Sequence, residues 1–366
     1  MIFSIDKKEI IEELQLLQGI VEKRNTMPIL ANILIEVSDK EVNLTGTDLE
    51  VGLKTHFPAK IEERGSITVS GKKIFEIVKS LEEDQTIVFK EGGDLLMEIV
   101  SGNSQFKVLC LSKEDYPQVP SAKFEKNLTF TLKDVQEMID RVYYAIAQEQ
   151  RYYLNGALMI IKQNSLEFVS TDGHRLAYTA KNLEDIQVKE EIRRIVSKKT
   201  LSELKKFEDE TVAFDFDENS LFFRVADRTL ISRIIEGKFP NFEAVIPKDN
   251  PNIISLSTEE ITDAIRRVAL LSTERSKGVK FYVEKNQVRL FSSNPEIGEA
   301  RDKVDVDYEG EELEIGFNSQ YLLDFLTTVK ADRIKIELKD ENSAVLLKPD
   351  TEEDIKYLYV LMPMKI

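Results

Sequence analysis

Leu128–Ala147, LTFTLKDVQEMIDRVYYAIA, begins as a short alternating strand, breaks at Thr131 and continues as an amphipathic helix with Val135, Met138, Ile139 and Val142 at helical spacing. Thr131, with Asp134 three residues on, makes a capping-box-like start that uses the shorter acid. The same pattern occurs before and after. Ile2–Ile20, IFSIDKKEIIEELQLLQGI, has Asp6 as candidate cap, Glu9 three residues later, and Ile10, Leu14 and Leu17 on one face. ISLSTEEITDAIRRVALLS, from Ile254, has Ser257 as cap, Glu260 three later, and Ile261, Ala264, Ile265 and Val268 behind it. The copies are about 125 residues apart, a domain's length and too long for a solenoid repeat. The chain therefore reads as three copies of one domain.

Each domain is itself built twice. After the first helix come strand-like runs Ile33–Val37, Val42–Thr45 and Val51–Thr55, and a second strand and helix start at Ile67, ITVSGKKIFEIVKSL. Thr86–Phe89, Leu95–Val100 and Phe106–Leu111 follow. Corresponding second helices are expected in IVSKKTLSELKKF from Ile195 and LEIGFNSQYLLDFLTTV from Leu313. A strand, a helix and three strands, twice per domain, predict an α+β protein with about six helices and many antiparallel strands. Tyr116–Lys126 and Pro247–Pro251 carry linker-like residues, so the domains are expected at 1–122, 123–249 and 250–366.

Hydrophobic residues make up 42% of the 366 and charged residues 32%, as in a soluble globular protein. No run approaches the roughly 18 apolar residues of a membrane helix. MIFSIDKKEI offers no apolar signal core, so secretion is not expected. One cysteine, Cys110, suits a reducing cytoplasm, and two histidines, His56 and His174, leave no His- or Cys-rich metal site to expect. Fifty basic against 66 acidic side chains give a net charge of −16. That opposes coating by nucleic acid but permits a local basic channel.

The informative cations lie on the second helices. Lys72 and Lys79 are about two turns apart and share a face, and Lys198 and Lys205 are read at the same repeat positions, with Lys73 and Lys199 beside the first of each pair. Arg141 and Arg267 share a position on the first-type helices. A solvated helix face and a basic channel both fit; Ser319 and Gln320 in the last domain weaken the channel.

Enzyme-like strings fail on detail. Gly65–Lys73 has one residue too many for a phosphate loop and lysine where Ser or Thr must meet magnesium. Asp215–Asn219 starts like a calcium loop, but Ser220 replaces the turn glycine and Ala226 the bidentate acid, so a hairpin turn is expected. Asp172-Gly173-His174 lacks a nucleophile elbow and reads as a capped turn or a surface binding loop.

Four strings then carry a specific resemblance: Leu44–Glu50 (LTGTDLE), Arg151–Gly156 (RYYLNG), Thr171–Ala177 (TDGHRLA) and Tyr359–Met364 (YVLMPM). In this order and spacing the chain resembles, from Met1 to Ile366, the bacterial β sliding clamps, the processivity subunit of replicative DNA polymerase III. The resemblance implies a three-domain crescent, half of a head-to-tail homodimeric ring with helices inside and sheets outside, encircling duplex DNA. It implies a separate ATP-driven clamp loader, docking of the polymerase catalytic subunit and other clamp-binding-motif proteins, no cofactor and no catalysis, in a nucleoid-associated cytoplasmic setting. DNA would meet Arg24, Lys72, Lys73, Lys198, Lys199 and the loop Gln148–Tyr153, including Tyr152, with Gln150 and Arg151 bordering the partner pocket. That pocket would use Leu154, Thr171, Gly173, His174, Arg175, Leu176, Pro240, Val245, Val360 and Met362, with Asn318, Tyr321, Pro363 and Met364 in an adjoining groove, flanked by a mobile C-terminal Met-Pro-Met. Methionine suits varied partners. Ala244 stands where family members can carry arginine, and Asn342 and Ala344 fall in a variable stretch of pocket wall. Leu270 and Leu271 would meet Phe106 and Val108 of the second chain, although all four also fit an intradomain core.

Two rival readings remain at this point. A hydrolase would use Asp172 and His174, whereas an adhesion or scaffold module would make no use of the lysines.

Overall fold

The computed structural model describes residues 1–21, 27–148, 152–184, 186–273 and 277–366. The first repeat runs β1 (Ile2–Asp6), α1 (Lys7–Leu17), β2 (Asn32–Val37), β3 (Glu41–Thr47), β4 (Val51–Pro58), β5 (Lys60–Glu63), β6 (Gly65–Ser70), α2 (Gly71–Ser80), β7 (Thr86–Gly92), β8 (Leu96–Ser101) and β9 (Ser104–Leu111). The second runs β10 (Leu128–Thr131), α3 (Leu132–Tyr143), β11 (Gly156–Lys162), β12 (Ser165–Thr171), β13 (Arg175–Asn182), β14 (Ile192–Ser197), α4 (Lys198–Leu204), β15 (Thr211–Phe216), β16 (Ser220–Val225) and β17 (Arg228–Arg233). The third runs β18 (Asn252–Ser257), α5 (Thr258–Ala269), β19 (Gly278–Glu284), β20 (Gln287–Asn294), β21 (Gly298–Asp305), β22 (Leu313–Asn318), α6 (Ser319–Thr328), β23 (Arg333–Leu338), β24 (Val345–Pro349) and β25 (Ile355–Leu361). The strand–helix–three-strand unit thus recurs six times as expected, with β5 the one added strand among the described residues.

The helices form where the apolar spacing predicts them. On α3, Val135, Met138, Ile139 and Val142 are all buried, each worth about 1.5–3 kcal/mol. Ser257 caps α5 by accepting from the Glu260 amide at 3.3 Å, and Ser70 caps α2 from the Lys73 amide. Asp6 occupies the N-cap position of α1 without capping it. Its carboxylate instead accepts from the Thr86 hydroxyl at 2.8 Å, because β7 pairs alongside β1 and brings that hydroxyl within reach.

The chain packs as two units, Met1–Gln136 with Lys199–Ile234, and Glu137–Lys198 with Ile235–Ile366. The first contains a 13-stranded sheet in the order β10-β15-β16-β17-β4-β3-β2-β6-β9-β8-β7-β1-β5. The second contains an eight-stranded sheet, β14-β11-β12-β13-β25-β24-β23-β18, and a four-stranded sheet, β21-β20-β19-β22. Strands of successive repeats therefore join directly: β17 pairs antiparallel with β4, and β25 with β13. The expected linker at Tyr116–Lys126 is likewise packed. Tyr116 donates to the Thr45 carbonyl at 3.0 Å, Lys54 holds the Val119 carbonyl at 2.7 Å, and Lys126 pairs with Asp215.

At the β4–β17 joint, α1 contributes Glu13, whose carboxylate accepts from Thr55 at 2.6 Å and from the Arg228 guanidinium at 2.6 Å. Glu13 is nearly fully buried, so removing its cation strands a charge. Arg228→Met is expected to cost about 3 kcal/mol. That is a fall of roughly 6 °C or more in the thermal midpoint. A midpoint within a degree of the wild type would show that the pair does not hold the joint.

Candidate functional site

In the second unit the β12–β13 turn, Thr171 to Arg175, is closed by its own side chains. The Thr171 hydroxyl accepts from the Gly173 amide at 3.1 Å and donates to the Arg175 carbonyl at 2.7 Å. One Asp172 oxygen accepts from the amides of His174 (3.0 Å) and Arg175 (3.1 Å). Gly173 sits at φ +92°, a conformation a side chain would strain, although the space around it is open. The His174 carbonyl then accepts from the Met362 amide at 2.9 Å, fastening the end of β25 to the turn.

Behind this turn Leu154, Leu176 and Val360 are buried in one apolar cluster with Phe239, Phe242 and Leu346. Val245 and Met362, 46% and 41% exposed, stand at its mouth, and Pro240 and His174 are exposed beside them. The expected residues are thus brought together as a buried floor and an apolar rim. Phe242 and Leu346 were missed, since neither lies in a recognisable motif; Phe242 joins the floor through the short turn Phe242–Ala244. Ala244 is exposed on that turn, Ala344 packs against the cluster, and Asn342 is exposed.

Arg175 pairs with Asp172 (3.0 Å) and Asp324 (2.5 Å), donates to the Tyr144 carbonyl (2.6 Å) and lies 4.2 Å over the Tyr321 ring. It fastens the turn to α6. The Met-Pro-Met tail, expected to be mobile, is held by the Met362 bond and by the Met364 amide on the Gly316 carbonyl at 2.9 Å, with Pro363 between. Beyond it Ile366 fills the space that Gly278 and Gly316 leave without side chains. Asn318 uses its side-chain oxygen to cap α6, and the Tyr321 carbonyl accepts from Tyr359 at 2.9 Å.

The cations separate into two kinds. Lys72 and Lys73 are mostly exposed, sharing Glu76 at 3.7 and 2.9 Å. Lys199 is bound inside the first unit, its ammonium 2.5 Å from Asp48 and 3.0 Å from the Ile20 carbonyl. In the second unit Lys198 lies 4.9 Å over the Tyr143 ring, and burial, aided by Arg175, lowers its pKa. The repeat register also differs from expectation. Ser70 and Ser197 end the strands before α2 and α4, so Lys72 corresponds to Lys199, and Lys198 to Gly71. One residue is a rotation of about 100° on a helix, so the matched-face reading of Lys72 with Lys198 does not hold. Arg141, position-matched to Arg267, is buried between Glu137 and Glu353. Gln148 is exposed and Tyr153 packs against the apolar cluster. Arg24, Gln150, Arg151 and the side chain of Tyr152 lie outside the described residues.

Phe106 and Val108 are half-exposed on β9, which pairs along its length with β8 but meets β6 only at Cys110 and Leu111. Leu270 is 77% exposed and Leu271 half-exposed just after α5. The intradomain-core alternative therefore does not describe Leu270. The hydrolase reading also lacks support: the Asp172 carboxylate is taken up by the His174 and Arg175 amides and the Arg175 guanidinium. Asp215–Ser220 is a hairpin turn, its Asp217 accepting from the Asn219 and Ser220 amides, and Gly65–Lys73 is a strand running straight into a helix.

Three repeats of one α+β fold, with an apolar floor and rim beside the β12–β13 turn, make up the described structure. Three family models match in turn: the N-terminal domain of the DNA polymerase III beta subunit over residues 1–120, the central domain over 129–241 and the C-terminal domain over 243–365. The beta sliding clamp of Pseudomonas putida is 34% identical over 374 residues, covering 100% of both chains, and that of Escherichia coli K12 is 32% identical over 371. A solved DNA polymerase sliding clamp from Pseudomonas aeruginosa superposes with a TM-score of 0.95 at 33% identity over 100% of both chains. The clamp from Bacillus subtilis gives 0.95 at 28%, covering 100% of this chain and 99% of its own. The chain belongs to the DNA polymerase III beta-subunit family, the beta sliding clamps, non-catalytic processivity factors of DNA replication.

Gly173→Ala is expected to destabilise the turn by about 1 kcal/mol through backbone strain alone. The thermal midpoint should drop by roughly 2–4 °C. An unchanged or raised midpoint would contradict the positive-φ account.

Proposed function

We propose that two copies of this chain close head to tail into a ring around duplex DNA, each copy docking partner peptides in the second-unit pocket. The observation that carries the reading is that pocket: Val245 and Met362 hold apolar surface half-exposed over a buried floor of Leu154, Leu176 and Val360, with few polar groups at the mouth. Thr171, Gly173, His174 and Pro240 shape its rim, Arg175 positions the turn, and Asn318, Tyr321, Pro363 and Met364 form the adjoining groove. The partners are the polymerase III catalytic subunit, the clamp loader and other proteins carrying a clamp-binding motif. The three domains are 1–122, 123–249 and 250–366, and the protein works at the nucleoid in the cytoplasm. No described helix is long and apolar enough to cross a membrane.

Lys72, Lys73 and Lys198 supply charge to phosphates, with Gln148 and Tyr153 beside the path. Lys199, already paired with Asp48, contributes mainly by fixing the start of α4. Arg24 and Tyr152 are assigned on family resemblance alone. Phosphate contacts position DNA without reading its sequence, as a sliding protein requires. Ring closure joins Phe106 and Val108 of one copy to Leu270 and Leu271 of the other, a heterologous contact that closes only at the right rotation. The open edge of β9 and the exposed Leu270 support this pairing.

Leu270→Ala with Leu271→Ala should give monomers by native mass at concentrations where the wild type is dimeric; a dimeric variant would refute the closure contact. Met362→Lys should weaken a clamp-binding peptide of the polymerase catalytic subunit at least tenfold, about 1.4 kcal/mol or more, with no loss of dimer. Unchanged affinity would remove the pocket from the docking role.

A further inference from the structure

The first unit contains a groove of about 390 Å³ beside a turn built like the one at the second-unit pocket. At its edge the β3–β4 turn, Thr47 to Val51, is closed as Thr171 to Arg175 is. Thr47 Oγ1 accepts from the Leu49 amide at 3.0 Å and donates to the Val51 carbonyl at 3.0 Å, while Asp48 accepts from the amides of Glu50 (2.9 Å) and Val51 (2.6 Å). The Glu50 carbonyl accepts from the Arg233 amide at 2.7 Å, as the His174 carbonyl does from Met362. Val51 faces Ser232 across β4–β17 in the register in which Arg175 faces Leu361 across β13–β25. Tyr116-Pro117 follows the end of β9 in the chain much as Phe239-Pro240 follows the end of β17. Pro117, Val119 and Pro120 form the far wall, fixed by Tyr116 and by Lys54 on the Val119 carbonyl.

The two sites differ in floor and rim, Gly52 taking the position of the floor residue Leu176. Leu49 takes the position of Gly173, keeps the left-handed backbone at φ +76°, and holds an apolar side chain 50% exposed beside the groove. His174 and Met362 become Glu50 and Arg233, both exposed and in ion pairs with no described residue. With Leu49, Pro117, Val119, Pro120 and Ile231 among its lining and the exposed Arg233 guanidinium opposite the Glu50 carboxylate on its rim, the groove is complementary to apolar side chains followed by a carboxylate directed at Arg233 and away from Glu50. Rigid prolines in the wall lower the ordering cost of binding.

We propose that this groove is a second docking site, taking an extended partner segment with apolar side chains and a carboxylate that pairs with Arg233. The proposal rests on the reading of the second-unit pocket as a partner-peptide site, and gives the chain two grooves beside like-built turns with different charge selectivity.

The test is selection of a phage-displayed library of random 12-residue peptides on the full-length protein, with enriched clones then measured on Leu49→Lys, Arg233→Glu and Met362→Lys. Each variant is first checked for unchanged circular dichroism and thermal midpoint. A class of acid-bearing clones weakened at least tenfold by Leu49→Lys and by Arg233→Glu, and indifferent to Met362→Lys, is expected beside a class with the reverse dependence. If every clone depends on Met362 and none on Leu49 or Arg233, the second groove is overturned and the pocket reading stands. Clones dependent only on Leu49 and Arg233 would uphold the groove and remove the pocket reading. Enrichment of no clone sensitive to any of the three variants overturns both.

Discussion

The antiparallel pairing of β13 with β25 is the constraint on which the candidate site depends. Seven Cα partners, from Arg175↔Leu361 to Lys181↔Ile355, carry the last strand of the third repeat onto a strand of the second. That register places Val360 beside Leu176 in the floor and delivers Met362 to the His174 carbonyl. A slip of one residue would turn Val360 outward and dissolve the floor, because side chains alternate faces along a strand. The β4–β17 pairing does the same for the first and second repeats. Neither the pocket nor the groove is grafted onto a finished domain; each forms where one repeat completes the sheet of its neighbour.

Charge is arranged with similar economy. Against a net −16, several cations are committed to internal work: Arg175 to Asp172 and Asp324, Arg141 to Glu137 and Glu353, Arg228 to Glu13, and Lys199 to Asp48. Such pairs orient turns and joints, and their desolvation leaves little net attraction for an outside ligand. Lys72 and Lys73 differ in being mostly exposed, and they share Glu76. The distinction between structural and available cations cannot be made from charge counts, since it depends on which acids the fold brings within reach.

Much of the fold was legible in the sequence. The helical spacing of Val135, Met138, Ile139 and Val142 and its two echoes revealed the threefold repeat, and the alternating runs located the strands. The pairing of strands across repeats was not legible, since β17 and β25 carry no mark of which edge they will meet. The one-residue register error at Lys198 has a physical origin: paired lysines are an easy visual match, but Ser70 and Ser197 define the helix starts. At the site, the four matching strings located the turn, rim and tail. What they could not give was direction. Arg175 reads as a lining residue, and only the structure brings it to Asp324 and the Tyr144 carbonyl; likewise only the fold sets the Gly316 carbonyl against the Met364 amide.

The most direct test of the account is retention on DNA of different topology. The protein is loaded onto nicked circular plasmid with a cognate clamp loader and ATP, sized by gel filtration in moderate salt, and then challenged by linearising the plasmid. Co-elution with the circle and loss after cutting is the predicted result, because a closed ring held by topology slides off free ends. Equal retention on circle and line would contradict the account, since it would mean that ordinary surface contacts, and not enclosure, hold the protein on DNA.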